Sequence, residues 1–279
     1  MREFGLNGAT TGPVDLLTDL RAAREAGYAV LEVRDTKVRG YVDTGGRLEW
    51  FRSAAEEAGI RVATVNALEH STHVTGMERE ALLDRCRTFC EYARALGAPH
   101  VIAVPSFHDE ITDRGASAEV AAEALRAMAD VAVDYGIGIG FEFLGFEDCS
   151  VNTLGAARAI VERAARPNVG IVIDAFHYYA GGSTPEMLQD LDPARLYIVH
   201  LDDAEARPRP QLRDAHRLLP GDGVIPLRDL VQRIERLGYR GPWSIELFRP
   251  EYWAWDPVHL ARVCREKMAA LFTEERGRR

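Results

Sequence analysis

Runs of β-forming residues alternate with amphipathic helical segments along the whole chain, and this alternation constrains the fold more than any other feature. Eight strands are predicted, near 3–7, 29–34, 61–67, 100–105, 137–143, 169–174, 196–202 and 242–247. The segments between them carry apolar residues at helical spacing, at 14–27, 48–59, 78–97, 117–136, 153–164, 226–238 and 257–272, with a short helix near 185–191. Such alternation is typical of βα units in a parallel sheet.

Eight βα units in 279 residues predict a (β/α)₈ TIM barrel, formed as a single domain over residues 1–279. A doubly wound sheet would require a glycine-rich phosphate turn after the first strand, and no G-x-G-x-x-G motif occurs there. A weak internal similarity supports repetition: DLRAAREAGYAVLEV and DLVQRIERLGYRGPWSIEL both read as a helix, Gly-Tyr and a strand that carries Glu. The one long irregular stretch, 203–225, is of a length that is usually functional or disordered.

Charge and cysteine content limit the partners that this chain is expected to have. The formal net charge of -9 disfavours nucleic acid, because nucleic-acid binding depends on clustered Lys and Arg. The four cysteines have no framework spacing and are interpreted as reduced thiols, and no apolar run is long enough to span a bilayer. We therefore expect a cytoplasmic enzyme that acts on small molecules, without a membrane partner, and the sequence is compatible with a homo-oligomer.

Four consecutive predicted strands end in residues of the types that commonly serve as metal ligands. Glu142, Asp174, His200 and Glu246 lie at or near the ends of strands five to eight. Barrel active sites form at this end of the strands, so the four side chains should make one arc of the mouth. A strand-end Asp or a buried His alone is commonly structural, but the set of four favours a metal site. Three carboxylates and an imidazole suit Mn²⁺, Mg²⁺ or a carboxylate-rich Zn²⁺.

Other polar and aromatic residues near the strand ends are candidates for substrate binding. His177 reaches the site only if the chain turns at 175 or 176, and it is then predicted to hydrogen-bond the substrate. Asn66 and His70, at the end of strand three, could bind substrate hydroxyl groups. Trp253, one of several aromatic residues after strand eight, either forms an apolar wall of the site or packs the last helix onto the barrel.

Five segments resemble the sugar phosphate isomerase/epimerase family of xylose-isomerase-like barrels: EFLGFEDCSVNT, VIDAFHYYAGGS, VHLDD, RLLPGDGVIPL and IELFRPEYW. Within that family the resemblance is greatest to isomerases of keto-cyclitols of the inosose type. It extends from about 138 to 253, and the first half of the chain agrees mainly in pattern. The resemblance implies an isomerase or epimerase of a small keto-sugar or keto-cyclitol, acting through an enediolate in carbohydrate metabolism or inositol catabolism.

The resemblance also implies roles for individual residues. It implies one divalent metal ion, Mn²⁺ or Zn²⁺ with Mg²⁺ or Co²⁺ as alternatives, held by Glu142, Asp174, His200 and Glu246. In related epimerases two metal-binding glutamates also carry the proton, and the matching positions are Glu142 and Glu246. His177 would lie beside the substrate, and Arg217 fits the substrate arginine of the inosose-type pattern better than Arg207 does.

Several alternatives stay open at this point. Endonuclease IV-type nucleases share this barrel and bind further metals through extra histidines, for which the chain offers His70, His108, Asp214 and His216. The acidic net charge argues against a DNA substrate. Hydroxypyruvate isomerase, 3-dehydroshikimate dehydratase and a metal-binding barrel without catalysis are further alternatives. The presence of both Glu142 and Glu246 argues against the last of these.

Overall fold

Eight parallel strands close into a barrel in a computed structural model that describes residues 2–107 and 118–273. The barrel strands are β1 (Phe4–Asn7), β2 (Val30–Arg34), β3 (Arg61–Leu68), β4 (His100–Ala103), β5 (Gly138–Glu142), β6 (Val169–Asp174), β7 (Leu196–His200) and β10 (Trp243–Ile245). Around the barrel the order is β1, β10, β7, β6, β5, β4, β3, β2, and β2 pairs again with β1. The predicted barrel is therefore confirmed, and the predicted strand ends agree to within two residues.

Ten helices accompany the strands in the described part of the chain. They are α1 (Leu16–Ala26), α2 (Asp35–Asp43), α3 (Leu48–Glu57), α4 (Gly76–Leu96), α5 (Ala118–Val133), α6 (Leu154–Ala164), α7 (Ala175–Ala180), α8 (Leu227–Arg236), α9 (Pro250–Trp253) and α10 (Pro257–Leu271). The sequence did not predict α2, α7 and α9, which are too short to show a clear apolar period. The helix predicted near 185–191 is a 3₁₀ turn at Pro185–Leu188. None of the described helices has the length and apolar character needed to cross a membrane.

The stretch 203–225, expected to be irregular, is organised around a short antiparallel hairpin. Its strands are β8 (Asp203–Ala204) and β9 (Arg217–Leu218). The buried carboxylate of Asp203 accepts hydrogen bonds from the backbone N–H groups of Ala204 (2.9 Å), Gly221 (3.0 Å) and Ile225 (2.8 Å). One side chain thus satisfies three backbone donors and holds both ends of the hairpin, so that Arg217 is fixed over the barrel mouth.

Glycines in β5 and β6 make room for one aromatic ring at the other end of the barrel. The ring of Tyr197 stacks on His100 with 4.0 Å between ring centroids. A Cβ atom added at Gly170 would lie 2.5 Å from this tyrosine ring and 2.6 Å from the carbonyl oxygen of Arg195, and one added at Gly138 would lie 3.2 Å from the ring. The absence of side chains at these strand positions is therefore a packing requirement.

We expect Gly170→Ala to destabilise the fold by about 1–3 kcal/mol, because the added methyl group overpacks a site bounded by backbone and a stacked ring. Gly40→Ala is the matched control: Gly40 lies inside α2, and an added Cβ would meet nothing within 4 Å. There the substitution should be neutral or stabilising, because alanine favours the helix. Thermal unfolding of both variants tests this, and equal melting temperatures would contradict it.

Candidate metal centre

Four side chains from four separate barrel strands converge at one buried point. Glu142 ends β5, Asp174 ends β6, His200 ends β7, and Glu246 directly follows β10. One ligand atom of each lies within 4.8 Å of those of the other three, and all four residues are buried. Within residues 2–107 and 118–273, no other group of three or more His, Cys, Asp or Glu side chains is arranged to hold a metal ion.

The imidazole of His200 is oriented by carboxylates on both sides. Its Nδ1 atom faces the cluster, 3.0 Å from Glu142 Oε1 and 3.4 Å from Glu246 Oε2. Its Nε2 atom lies 3.1 Å from Oε1 of Glu32, a buried residue of β2 whose Oε2 accepts a hydrogen bond from Thr64. A carboxylate at Nε2 keeps a proton on that nitrogen and leaves Nδ1 as the nitrogen that can bind a metal.

The cluster carries an excess of buried negative charge. Five carboxylates are buried here against the two basic side chains of His200 and Arg217; the five are Glu32, Glu142, Asp174, Asp202 and Glu246. Burial raises the pKa of Glu246 to about 8, and repulsion from the other carboxylates adds to this effect although His200 and Arg217 oppose it. Burial lowers the pKa of His200, but the surrounding glutamates outweigh it and raise that pKa well above its ordinary value.

A divalent cation fits this donor set on both charge and chemistry. Several converging carboxylate oxygens and one imidazole nitrogen are the ligands of Mn²⁺, Mg²⁺ and carboxylate-rich Zn²⁺ sites. A cation at the point of convergence would also offset the repulsion among carboxylates that are buried away from water. The residues present are therefore suited to the metal that the sequence predicts.

Arg217 lies against the cluster from the hairpin and is fully buried. Its Nη1 donates to Asp174 Oδ2 at 2.5 Å and also pairs with Asp202, while its Nε donates to Asp214 at 3.1 Å. The other oxygen of Asp174 accepts the backbone N–H of His177 and so caps α7. Asp174 is thus held by protein donors on both oxygens.

His177 enters the site because α7 begins directly after Asp174, which is the turn that the sequence required. The backbone N–H of Gly145 donates to its Nδ1 at 3.1 Å, so the proton of the neutral ring is on Nε2. Burial lowers the pKa of His177, which favours this neutral form. Nε2 lies 2.9 Å from Nη2 of Arg217, so one ligand oxygen placed beside the pair could contact both groups.

A cavity of ≈ 220 Å³ lies directly above the cluster. Its apolar wall includes three phenylalanine rings, and its polar lining includes Glu142, Glu246, Asn66, His70, His177, Arg34 and Arg217. Four of the predicted substrate residues therefore line it. Trp253 does not: α9 turns this side chain toward the loop after β1, where the indole N–H donates to the carbonyl of Ala9 at 3.1 Å. The predicted apolar wall is instead formed by Phe107, Phe146 and Phe248.

The remaining sequence candidates lie at the margin of the site or away from it. Asp214 lines the cavity beside Arg217. His216 is outside the lining, and its Nδ1 accepts the backbone N–H of Arg213. Arg207 forms a surface pair with Glu205. His108 lies outside the described residues.

Sequence reasoning missed Glu32 and Asn7. For Glu32 a signal existed, because the internal similarity aligns the Glu of VLEV with the Glu of SIEL, which is Glu246. Asn7 had no such signal. It ends the short strand β1, and its contact with Glu246 at 2.9 Å joins residues 239 positions apart.

A closed parallel barrel with a carboxylate-rich candidate metal centre at its mouth is a class of protein that is also recognised by comparison with known proteins. A family model of the xylose isomerase-like TIM barrel matches residues 20–271, and the chain belongs to this family. It is 31% identical over 264 residues to the inosose isomerase of Bacillus velezensis, a match that covers 93% of each chain. To the inosose isomerase of Halalkalibacterium halodurans it is 32% identical over 240 residues, or 86% of this chain and 85% of the other.

Among solved structures, the chain is similar to the crystal structure of the IOLI protein with a bound zinc atom. The TM-score is 0.91 at 29% sequence identity, and the match covers 96% of this chain and 97% of that chain. The family resemblance found in the sequence is therefore confirmed, and it extends to the first half of the chain, where the sequence alone agreed mainly in pattern.

We expect Glu32→Ala to weaken metal binding by about 10–100-fold, because the His200 imidazole loses the acceptor that orients it. Glu32→Gln keeps an amide oxygen to accept from Nε2 and should lose less. Glu69→Ala is the matched control, since the Glu69 side chain lies at the rim and is 57% exposed. Competition against a chromophoric chelator measures the affinities. Equal affinity of Glu32→Ala and the unchanged protein would contradict the role of Glu32.

Proposed function

We propose that this chain is a divalent-metal-dependent isomerase of a small keto-cyclitol of the inosose type. The observation that carries the proposal is that two of the four converging residues, Glu142 and Glu246, also line the cavity. Two carboxylates are therefore available at the same time to the metal and to a bound substrate. The similarity to inosose isomerases over most of the chain supports the choice of substrate.

We propose Glu142, Asp174, His200 and Glu246 as the metal ligands. The zinc atom in the IOLI structure supports Zn²⁺ as one candidate ion, and Mn²⁺, Mg²⁺ and Co²⁺ fit the same donor set. When bound, the metal would polarise the substrate carbonyl and stabilise the negative charge that develops on its oxygen. The residues of the chain supply the remaining functions.

Glu142 and Glu246 are the proposed proton carriers. β5 and β10 are separated by β6 and β7 around the barrel, so the two carboxylates approach the cavity from different sides. One carboxylate removes a proton from the carbon beside the carbonyl, giving an enediolate. The hydroxyl proton on the deprotonated carbon passes to the former carbonyl oxygen, and the other carboxylate returns a proton to the former carbonyl carbon, which completes the isomerisation.

His177 and Arg217 are the proposed oxygen-binding pair, because Nε2 of His177 and Nη2 of Arg217 lie 2.9 Å apart and both residues line the cavity. Asn66 and His70 line the same cavity on the side of β3. The rings of Phe107, Phe146 and Phe248 offer an apolar surface to the C–H face of a cyclitol ring. This small cavity suits a single sugar or cyclitol ring better than a nucleic-acid strand.

A cytoplasmic location and a role in inositol catabolism are part of the proposal. All four cysteines are free and buried, as expected of a protein from a reducing compartment. Inosose is an oxidised inositol, so an enzyme that isomerises it would act on the products of inositol oxidation.

Incubation of the metal-loaded protein with 2-keto-myo-inositol in D₂O should give an isomeric inosose that carries deuterium at the carbon that accepts the proton. The label is expected because the protonated carboxyl group exchanges its proton for deuterium from the solvent before it protonates the substrate carbon. Removal of the metal with a chelator should stop the reaction, and addition of Zn²⁺ or Mn²⁺ should restore it. Mass spectrometry and NMR of the product measure both effects.

Glu142→Gln is the control variant for proton transfer, and its turnover should fall by about 10²–10⁴-fold. An abasic-site DNA duplex, incubated in parallel, should stay uncut. Cleavage of that duplex without isomerisation of inososes or other keto-sugars would contradict the proposal and favour the nuclease.

A further inference from the structure

Two asparagine side chains donate to the same oxygen atom of Glu246. Nδ2 of Asn7, which ends β1, lies 2.9 Å from Glu246 Oε1, and Nδ2 of Asn66, in β3, lies 3.2 Å from it. Both asparagines are buried. Asn7 is not part of the cavity lining, so it holds Glu246 without being placed to touch a substrate itself.

The orientation of each amide is determined by a second hydrogen bond. The backbone N–H of Ala9 donates to Asn7 Oδ1 at 2.9 Å, and Arg34 Nη1 donates to Asn66 Oδ1 at 3.0 Å. An amide whose oxygen is held by a donor must turn its NH₂ group to the other side. Both NH₂ groups therefore point at Glu246, and the opposite assignment would break four hydrogen bonds.

The two oxygens of Glu246 consequently have different surroundings. Oε1 is occupied by the two amides. Oε2 faces the metal centre, 3.4 Å from His200 Nδ1 and 3.8 Å from Arg217 Nη1. Glu142 differs, because its hydrogen bond in the described part of the chain is to His200 Nδ1, the nitrogen that faces the metal centre.

We propose that Asn7 and Asn66 are positioning residues that reserve Oε1 of Glu246 for the protein and leave Oε2 as its only oxygen for metal and substrate. The proposal rests on the metal ligation and proton transfer proposed above. It makes the two glutamates unequal: two donors fix the rotation of the Glu246 carboxylate, whereas the described residues place no such pair on Glu142.

Glutamine substitutions should expose this inequality. In Glu246→Gln the side-chain oxygen would take the position between the two amide donors, and the NH₂ group would face the metal centre. An amide NH₂ has no lone pair to offer a metal. In Glu142→Gln no amide pair among residues 2–107 and 118–273 determines the orientation, so the carbonyl oxygen can turn to the metal. The two substitutions are isosteric and remove the same charge, which makes each the control for the other.

The test measures metal affinity, by competition with a chelator and without substrate, for both glutamine variants. We expect Glu246→Gln to bind Zn²⁺ or Mn²⁺ at least about tenfold more weakly than Glu142→Gln does. Because no substrate is present, this result is independent of whether inosose is the substrate. Equal affinities of the two variants would overturn the proposal.

Asn7→Ala provides a second measurement in two backgrounds. In the unchanged protein it should weaken metal binding by about 10–100-fold, because Glu246 loses one of its holding donors. In Glu246→Gln it should cause no further loss, because the donor that misdirects the amide is removed. A purely structural role would give the same loss in both backgrounds, and that outcome would overturn the proposal. Asn66→Ala repeats the comparison if Asn7→Ala does not fold.

Kinetics with inosose separate positioning from substrate binding at Asn66. A positioning residue predicts that Asn66→Ala lowers kcat and leaves KM near its original value. A rise in KM with unchanged kcat and metal affinity would instead assign Asn66 to the substrate and overturn its positioning role.

Discussion

The burial of several carboxylates at one point is the constraint on which the rest of this structure depends. Glu142, Asp174 and Glu246 are buried with one oxygen of each within 4.8 Å of the others, and such charges are costly unless each is paired or hydrogen-bonded. Neighbouring groups supply part of that compensation: His200 contacts Glu142, Arg217 pairs with Asp174, and the amides of two asparagines hold Glu246. The charge that stays uncompensated is the reason a divalent cation suits the site.

This compensation requires the closed barrel. Asn7 and Glu32 come from β1 and β2, whereas the proposed metal ligands come from the ends of β5 to β7 and from the residue after β10. Only closure through the pairing of β1 with β10 and β2 brings these two arcs within hydrogen-bonding distance. The hairpin after β7 adds Arg217 from a segment outside the barrel sheet. Binding geometry and fold are therefore coupled, because no single βα unit contains a complete site.

The parts of the site that could be predicted from sequence are those with a local pattern. A carboxylate or imidazole at the end of an apolar strand marks Glu142, Asp174, His200 and Glu246, because all parallel strands end at the same face of a barrel. From the sequence, His177 could be placed in the site only if the chain turned directly after Asp174, and whether it turns there could not be predicted. Asn7 could not be predicted, since its role depends on a contact made at long range when the barrel closes. For Trp253 the sequence left two roles open, a wall of the cavity or packing of the last helix, and the structure places its indole against Ala9, outside the cavity lining.

An anomalous-scattering crystal structure of the protein loaded with Zn²⁺ or Mn²⁺ tests the central claim most directly. The account predicts one peak in the barrel mouth, at about 2.0–2.2 Å from single oxygens of Glu142, Asp174 and Glu246 and from Nδ1 of His200. The oxygen of Glu246 should be Oε2, with Oε1 still bonded to Asn7 and Asn66. Additional peaks bound by His70 or His216, or a peak that excludes the four ligands, would contradict it.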